Sequence, residues 1–164
     1  MNKKLYPPSP ICAECGGRCC QAYPGICWPE DLGDNIRASI KTRLASGLYT
    51  IDWWEGDPRE YDWDHPDAVS EGYFLRPAMK DHEGKLRHPA WMRGTCTFLR
   101  AGGCALPYNS RPYQCRALEP KSPGGRCKPH GGERQAGALA WLPYRAAIIS
   151  VLEELSAREK SEKV

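Results

Sequence analysis

The chain is organised around a cysteine-rich segment, Cys12-Ala13-Glu14-Cys15-Gly16-Gly17-Arg18-Cys19-Cys20, followed after six further residues by Cys27. It places five thiols within sixteen residues. A cysteine side chain is small and supplies little apolar area, so this density suits coordination better than packing. A Cys-x2-Cys step lets a turn direct two thiolates at one soft cation, as zinc and iron–sulfur sites require. We therefore interpret residues 12–27 as one half of a metal site.

The adjacent Cys19 and Cys20 are unusual within this half. From regular secondary structure, neighbouring residues cannot easily direct both sulfurs at one metal. The pair therefore predicts either an irregular backbone at this point or two neighbouring sites.

A second group of cysteines lies downstream, separated by seven, ten and eleven residues: Cys96, Cys104, Cys115 and Cys127. These four residues are too widely spaced to lie on one helix or strand. Separate elements therefore carry them, and folding can bring them to the Cys-x2-Cys step at residues 12–15. Buried structural thiols are the alternative for these residues and for Cys27. Cys127-Lys128-Pro129-His130 has the Cys-x2-His spacing of zinc ligands, and the sequence leaves open whether Cys27, Cys127 and His130 ligate.

The two groups are predicted to share one centre. Cys12 and Cys15 alone cannot complete a four-ligand shell, so we expect at least one downstream thiol to bind the same metal as a thiol from 12–20. In a hairpin, alternate residues face opposite sides, so pairing of Phe98 with Cys104 puts Cys96 and Cys104 on one face. We predict this register, or an equivalent bulge at the Gly102-Gly103 turn.

Composition indicates why the chain needs such a centre. The 164 residues suit a single metal-binding domain, 1–164, yet only 25 are Leu, Ile, Val or Phe, whereas 16 are Gly and 15 are Pro. Nine cysteines, an odd number, follow an N-terminus without a secretory signal, which favours metal binding in the cytoplasm over disulfides. No apolar run is long enough for a membrane helix, and the net charge of +3 argues against a nucleic-acid partner.

The predicted fold class is α+β, small and loop-rich, with two main helices and short β-hairpins around a cysteine-ligated metal centre. Residues 31–48 are predicted to form a helix whose apolar stripe is buried, while Arg37, Lys41 and Arg43 face water. The second helix is predicted at 143–159. The remaining segments are an extended lead-in at 1–11, an irregular aromatic and acidic loop at 50–72, a hairpin pairing 73–77 with 85–87, and a solvated tail at 160–164.

The combined cysteine pattern resembles the YkgJ-type zinc- or iron-chelating cysteine-cluster domain family. The resemblance rests on Cys12-x2-Cys15-x3-Cys19-Cys20, and downstream on Cys96-x-Phe98-Leu99, Gly103-Cys104 and Arg111-Pro112-x2-Cys115-Arg116. It runs from residue 12 to about 118, with an unmatched middle. It implies these metal ligands: Cys12, Cys15, Cys19, Cys20, Cys96, Cys104 and Cys115. Cys27 and Cys127 lie outside the matched pattern, and the resemblance implies almost nothing about biological role.

The leading hypothesis is a metal-binding protein with a largely structural centre of zinc or iron, an iron–sulfur cluster included. A metal-dependent enzyme is one alternative, for which Asp57, Asp62, Asp64 and Asp67 could supply polar groups. A redox or metal sensor that uses the surplus thiols is another. Catalytic residues and any protein partner stay unknown at this point.

Three arginines and three histidines remain to be interpreted. Arg18, Arg111 and Arg116 lie near thiols, where a positive charge stabilises thiolates, although Arg111 could equally brace the turn before Pro112. His65, His82 and His88 have no partner at ligand spacing and are predicted to face solvent.

Overall fold

The computed structural model describes residues 14–59, 69, 71–89, 92–101, 103–119, 127–129 and 134–163. Within them the chain has an α+β fold. The α-helices are α1 (Ile36–Ala45), α2 (Tyr113–Arg116), α3 (Arg134–Trp141) and α4 (Arg145–Glu162). The strands are β1 (Tyr49–Glu55), β2 (Glu71–Pro77), β3 (Leu99–Arg100), β4 (Gly103–Cys104), β5 (Leu118–Glu119) and β6 (Lys128–Pro129). They pair consecutively as three two-stranded antiparallel sheets.

The largest sheet pairs β1 with β2 over seven residues, from Tyr49 opposite Pro77 to Glu55 opposite Glu71. Residues 86–88 run along the other side of β1. There the Ile51 N–H donates to the Leu86 carbonyl and the His88 N–H donates to the Ile51 carbonyl. The first half of β1 is therefore enclosed on both edges and is buried.

This sheet contradicts two predictions. The partner of residues 73–77 is β1, so the predicted hairpin with 85–87 is wrong. The predicted irregular loop at 50–72 is also wrong over its first part, because 50–55 belong to β1. The reason lies in Tyr49-Thr50-Ile51-Asp52-Trp53-Trp54, whose aromatic and β-branched residues favour a strand. Asp52 interrupts the apolar pattern but is buried against Arg76 of β2.

The predicted helix at 31–48 is two elements. Pro29–Leu32 form a 3₁₀ turn, Gly33 then adopts a φ of +73°, and α1 begins after Asn35, whose side chain accepts from the Ala38 N–H. Gly33 is tolerant of this left-handed backbone, and the break follows from it. The predicted apolar stripe is buried at Leu32, Ile40 and Leu44, half-buried at Ile36 and exposed at Leu48.

The second predicted helix is longer than expected. A 3₁₀ turn at Leu142–Tyr144 joins α3 to α4, and α4 continues to Glu162, so residues 160–162 are helical rather than a tail. Its buried side chains are Ile148, Val151 and Leu155. The helix packs against α1, and Glu154 forms ion pairs with Arg37 and Lys41 on the rim of that contact.

One apolar cluster fills the space between these helices and the β1–β2 sheet, with Ile40, Ile51, Phe74 and Trp141 fully or almost fully buried. The indole N–H of Trp141 donates to the carbonyl oxygen of Cys27 at 2.7 Å. This bond ties the first cysteine segment to the core. No helix of the described residues is long and apolar enough to cross a membrane. The predicted lead-in at 1–11 lies outside the described residues.

Candidate metal centre

The two cysteine groups lie against each other. The backbone N–H of Cys96 donates to the Cys20 carbonyl at 2.7 Å, and the Gly94 N–H donates to the Ala22 carbonyl at 3.1 Å. Gly17 also comes so close to Leu99 that a Cβ on Gly17 would lie 2.6 Å from Leu99 Cδ1. Residues separated by more than seventy positions therefore share one packed boundary.

A second seam joins the segment around Cys27 to α2. The Ile26 N–H donates to Gln114 Oε1 at 2.8 Å, and the Gln114 N–H donates to the Ile26 carbonyl at 3.2 Å. Gly25 lies so near Cys115 that a Cβ there would be 2.3 Å from Cys115 Sγ. Only a glycine fits at this position without displacing the thiol.

Asp31 fixes the same seam from the other side. Its Oδ2 accepts from the backbone N–H of Trp28 at 2.8 Å and of Tyr113 at 2.7 Å, and its Oδ1 accepts from Arg116. The Trp28 and Tyr113 rings also pack together, with their centroids 4.7 Å apart. Asp31 thus links the first cysteine segment to the helix that carries Cys115, a role that no local pattern around Asp31 indicates.

Cys19 and Cys20 occupy a 3₁₀ turn, Cys19–Gln21, so the irregular backbone that the adjacent pair predicts is present. Their sulfur atoms lie 4.0 Å apart. Two thiolates on one tetrahedral zinc, each about 2.3 Å from the metal, are separated by about 3.8 Å. The adjacent pair is therefore close to the spacing that one tetrahedral ion requires.

The surrounding thiols are buried to different degrees. Cys27 is fully buried, and burial raises its pKa to about 12, although the nearby Arg43 guanidinium opposes that shift. Burial also raises the pKa of Cys96 to about 11 and raises that of Cys115 well above its ordinary value. Without a cation these thiols are neutral at pH 7, and a metal ion would have to displace their protons.

Electrostatic coupling indicates which thiols lie in one region. After burial, the next causes that raise the pKa of Cys115 are the neighbouring thiols Cys19, Cys96, Cys104 and Cys27, in that order. Thiols from both halves of the chain are thus within electrostatic range of one another. No disulfide joins these described cysteines: Cys15, Cys19, Cys20, Cys27, Cys96, Cys104 and Cys115.

The described cysteines lie near one another, but their side chains do not form a complete set of metal ligands. In the described ranges, no group of three or more His, Cys, Asp or Glu side chains stands close enough to hold a metal ion. Cys12 and His130 lie outside those ranges. Cys15 is half-buried on the first cysteine segment, and Cys127 is half-buried directly before β6, which pairs with β5. The Cys19–Cys20 pair is the contact from which a centre would have to be built.

The predicted register of the β3–β4 hairpin is wrong. Leu99 pairs with Cys104 and Arg100 pairs with Gly103, instead of Phe98 with Cys104. The alternation argument fails because Cys96 is not in the strand. A turn in which the Leu99 N–H donates to the Cys96 carbonyl separates them, and Cys96 instead bridges to Met79. The position of Cys96 is set by Met79 and Cys20 rather than by the hairpin.

The arginines near the thiols have mainly structural partners. Arg111 Nε donates to the Leu106 carbonyl and Arg116 Nε donates to the Arg111 carbonyl, so both brace the turn before α2. Arg18 is exposed at the start of the Cys19–Gln21 turn.

Arg43, which was expected to face water, approaches the thiol of Cys27. Its Nη1 donates to Cys27 Sγ at 3.9 Å, and its guanidinium lies over the Tyr49 ring. The spacing of Arg43 within the helix gave no sign of this contact, because Cys27 lies outside the helix, sixteen positions away.

Two further expectations change. His88 is buried, not solvent-facing, and its ring stacks on the half-buried His82 with centroids 4.2 Å apart. Asp57 is held by Arg59 through its side chain, which leaves it poorly suited to act as a base. His65, Asp62, Asp64 and Asp67 lie outside the described residues.

Comparisons with known proteins returned nothing: no protein-family model, no curated protein and no solved structure matches this chain.

Proposed function

We propose that the chain is a metal-binding protein whose cysteine centre, built from both halves of the sequence, mainly stabilises the fold. The metal is zinc or iron, with an iron–sulfur cluster as one form of the latter. The proposed ligands are drawn from Cys12, Cys15, Cys19, Cys20, Cys27, Cys96, Cys104, Cys115 and Cys127. Membership of the YkgJ-type family, a cytoplasmic location and a single domain are parts of the same proposal.

The observation that carries the proposal is the joining of the halves at Cys20 and Cys96, next to two sulfurs at tetrahedral spacing. The 2.7 Å backbone bond between these residues brings the second cysteine group to the first. The 4.0 Å separation of Cys19 Sγ and Cys20 Sγ then supports a centre in which both bind one ion. In a [4Fe–4S] cluster, four thiolates serve four irons, so this close pair favours a single ion over such a cluster.

Energetic reasoning supports a structural role for the metal. The chain has few aliphatic residues, and neutral buried thiols contribute little to its cohesion. Structural zinc contributes on the order of 10 kcal/mol in small zinc-dependent domains. A metal that replaces the protons on these thiols would connect segments 14–27, 94–104 and 113–117 directly.

A redox or metal sensor is the second candidate, and one observation favours it. Cys19 is exposed, whereas Cys27 and Cys96 are buried. An exposed thiol at the edge of a centre is accessible to oxidants and to competing metals, although the hydrogen bond with Cys20 raises the pKa of Cys19 and so lowers its reactivity. No contact of the described residues favours the enzyme hypothesis, for which the available candidate, Asp57, is already bound to Arg59.

Elemental analysis of protein purified without oxygen tests the proposal. We expect zinc or iron in stoichiometric amount, at one or two ions per chain for single-ion sites. A colourless zinc protein would support the structural role, and a brown protein with a broad visible absorption band would support iron–sulfur redox or sensing. Protein that contains neither metal, and that takes up neither after reduction, would contradict the proposal.

A further inference from the structure

The Cys19–Cys20 pair forms an accessible two-sulfur site. Its sulfurs lie 4.0 Å apart, Cys19 is exposed and Cys20 is half-buried. Both residues therefore present their thiols at the surface end of the cysteine region, whereas Cys27 and Cys96 are enclosed.

The backbone holds this pair in place from both ends. The Gln21 N–H donates to the Gly17 carbonyl at 3.2 Å, and the Tyr23 N–H donates to the Cys19 carbonyl at 3.1 Å. The Cys20 carbonyl accepts from Cys96 at 2.7 Å. Because the turn is held on both sides, the backbone of the two residues does not have to be ordered when a ligand binds their sulfurs.

The sulfur spacing discriminates among the chemistries that such a pair could perform. A disulfide requires sulfurs about 2.05 Å apart, so direct oxidation would need a large movement within a braced turn. A bridging atom bonded to both sulfurs requires much less movement. A divalent ion such as zinc needs four ligands, so the pair alone does not complete its shell. A ligand that needs only two sulfurs binds the pair without a downstream thiol.

We propose that Cys19 and Cys20 together capture trivalent arsenic compounds, a thiophilic class whose monosubstituted members bind two sulfurs. For a compound R–As(OH)2, two As–O bonds break and two As–S bonds form. Each thiol proton leaves with a hydroxyl group as water. Arsenic stays trivalent and neither sulfur is oxidised, so the step needs no oxidant or reductant. The substituent R points to solvent, which the exposure of Cys19 permits.

Arsenic capture needs the two neighbouring thiols alone, whereas the proposed metal centre needs downstream cysteines as well. Cys19 and Cys20 are also proposed metal ligands, so a bound metal competes with arsenic for this pair. Capture is therefore measured on the protein as purified and again after a chelator has removed any bound metal. Elemental analysis reports the metal and mass spectrometry reports the arsenic, so either proposal can fail without the other.

The test uses the full chain as purified, with phenylarsine oxide as the probe and a large excess of a monothiol such as glutathione. Intact mass spectrometry counts the bound phenylarsenic groups. We expect one group per chain, released by a dithiol such as dimercaptopropanol. Linking two sulfurs raises apparent affinity by 10²–10⁴, so Cys19→Ser and Cys20→Ser should each weaken capture by roughly 100-fold or more. Gln21→Ala, which alters an exposed neighbour of the pair but neither thiol, should leave it unchanged.

Peptide mapping of the wild type keeps the result independent of how the variants fold. Trypsin cleaves after Arg18 and Arg37, so the arsenic-bearing peptide should be 19–37. Absence of capture in excess monothiol by protein freed of metal, arsenic on a peptide other than 19–37, or equal capture by folded Cys19→Ser protein would each overturn the proposal.

Discussion

The backbone N–H of Cys96 donates a 2.7 Å hydrogen bond to the carbonyl oxygen of Cys20. This contact connects the two cysteine groups, which are far apart in the sequence, and it does so through the main chain. Their proximity is therefore a property of the fold and does not depend on the protonation of any thiol. A metal shared by both groups would strengthen a junction that already exists.

Metal removal is expected to lower the melting temperature by more than about 10 °C. A few kcal/mol move the transition of a chain of this size by that amount, and structural zinc contributes on the order of 10 kcal/mol in small domains. Differential scanning calorimetry with and without a strong chelator measures the shift. Cys15→Ser should also lower the transition. An unchanged transition after complete metal removal would rule out a structural role.

Gly25→Ala is expected to disturb the seam at Cys115. A Cβ at Gly25 would lie 2.3 Å from Cys115 Sγ and 3.3 Å from the Cys115 backbone nitrogen, and overpacking of this kind costs roughly 1–3 kcal/mol. The variant should also lose metal, as measured by elemental analysis. Gly84→Ala is the control: Gly84 has a positive φ and open space where a Cβ would lie, and no cysteine neighbours it in the sequence, so the variant should lose stability without losing metal. Equal metal loss in both variants would separate Cys115 from the centre.

Ile40→Asp is expected to destabilise the chain by several kcal/mol, because Ile40 is fully buried in the contact between α1 and the core. Urea denaturation followed by far-UV circular dichroism measures the change. Thr42→Asp places the same charge on the exposed side of the same helix and should change stability by less than about 1 kcal/mol. Similar stability of the two variants would show that the apolar stripe is not core.

Asp52→Ala is expected to cost about 3–5 kcal/mol, since it leaves the buried Arg76 guanidinium without its carboxylate. Both side chains are fully buried and the Nε–Oδ2 distance is 3.0 Å. Glu154→Ala, which removes an ion-pair partner of Arg37 and Lys41 near the surface, should cost far less, because exposed ion pairs contribute little to stability. If chemical denaturation gave the two variants equal losses, the buried pair would not be a major stabilising contact.

Stability is expected to fall as the pH drops from about 6.5 to about 4 because of His88. Burial lowers its pKa to about 4, His82, Arg76 and Lys85 act in the same direction, and Asp52 opposes them. In this window the unfolded chain, with an ordinary histidine pKa near 6.5, binds a proton that the folded chain does not. The unfolded state is thereby favoured, by up to about 3 kcal/mol at the acid end, and the effect is absent above pH 7.

The control for this pH dependence is His88→Gln, which keeps a polar side chain but cannot titrate. The difference in unfolding free energy between wild type and variant should narrow by up to about 3 kcal/mol between pH 7 and pH 4. A difference that stays constant across this range would show that His88 titrates normally in the folded chain.

The sequence was a good guide where structure is local. The four-residue spacing of Ile40 and Leu44 correctly indicated a buried helix face. The adjacent cysteines indicated either an irregular backbone or two neighbouring sites, and the irregular backbone is present. The sequence failed where a residue depends on a distant partner. β1 was not predicted because Asp52 is polar and its buried partner, Arg76, lies twenty-four positions away. His88 was expected in solvent because no neighbouring residue in the sequence indicates its place beside β1.

The candidate site shows the same division. Convergence of the two cysteine groups followed from counting the ligands that a metal needs, and the bond between Cys96 and Cys20 agrees with it. The register around Cys104 could not be predicted, because β3 and β4 have two residues each and a turn removes Cys96 from the strand. Alternation is a weak argument in strands this short.

The most direct test of the account is the metal content of Cys20→Ser and Cys96→Ser, each compared with wild type after purification without oxygen. Cys20 and Cys96 come from different halves, so a shared centre predicts stoichiometric zinc or iron in the wild type and a matching loss in both variants. Metal retained in full by folded Cys96→Ser protein, with loss confined to Cys20→Ser, would contradict the account and show that the first cysteine group binds metal without Cys96.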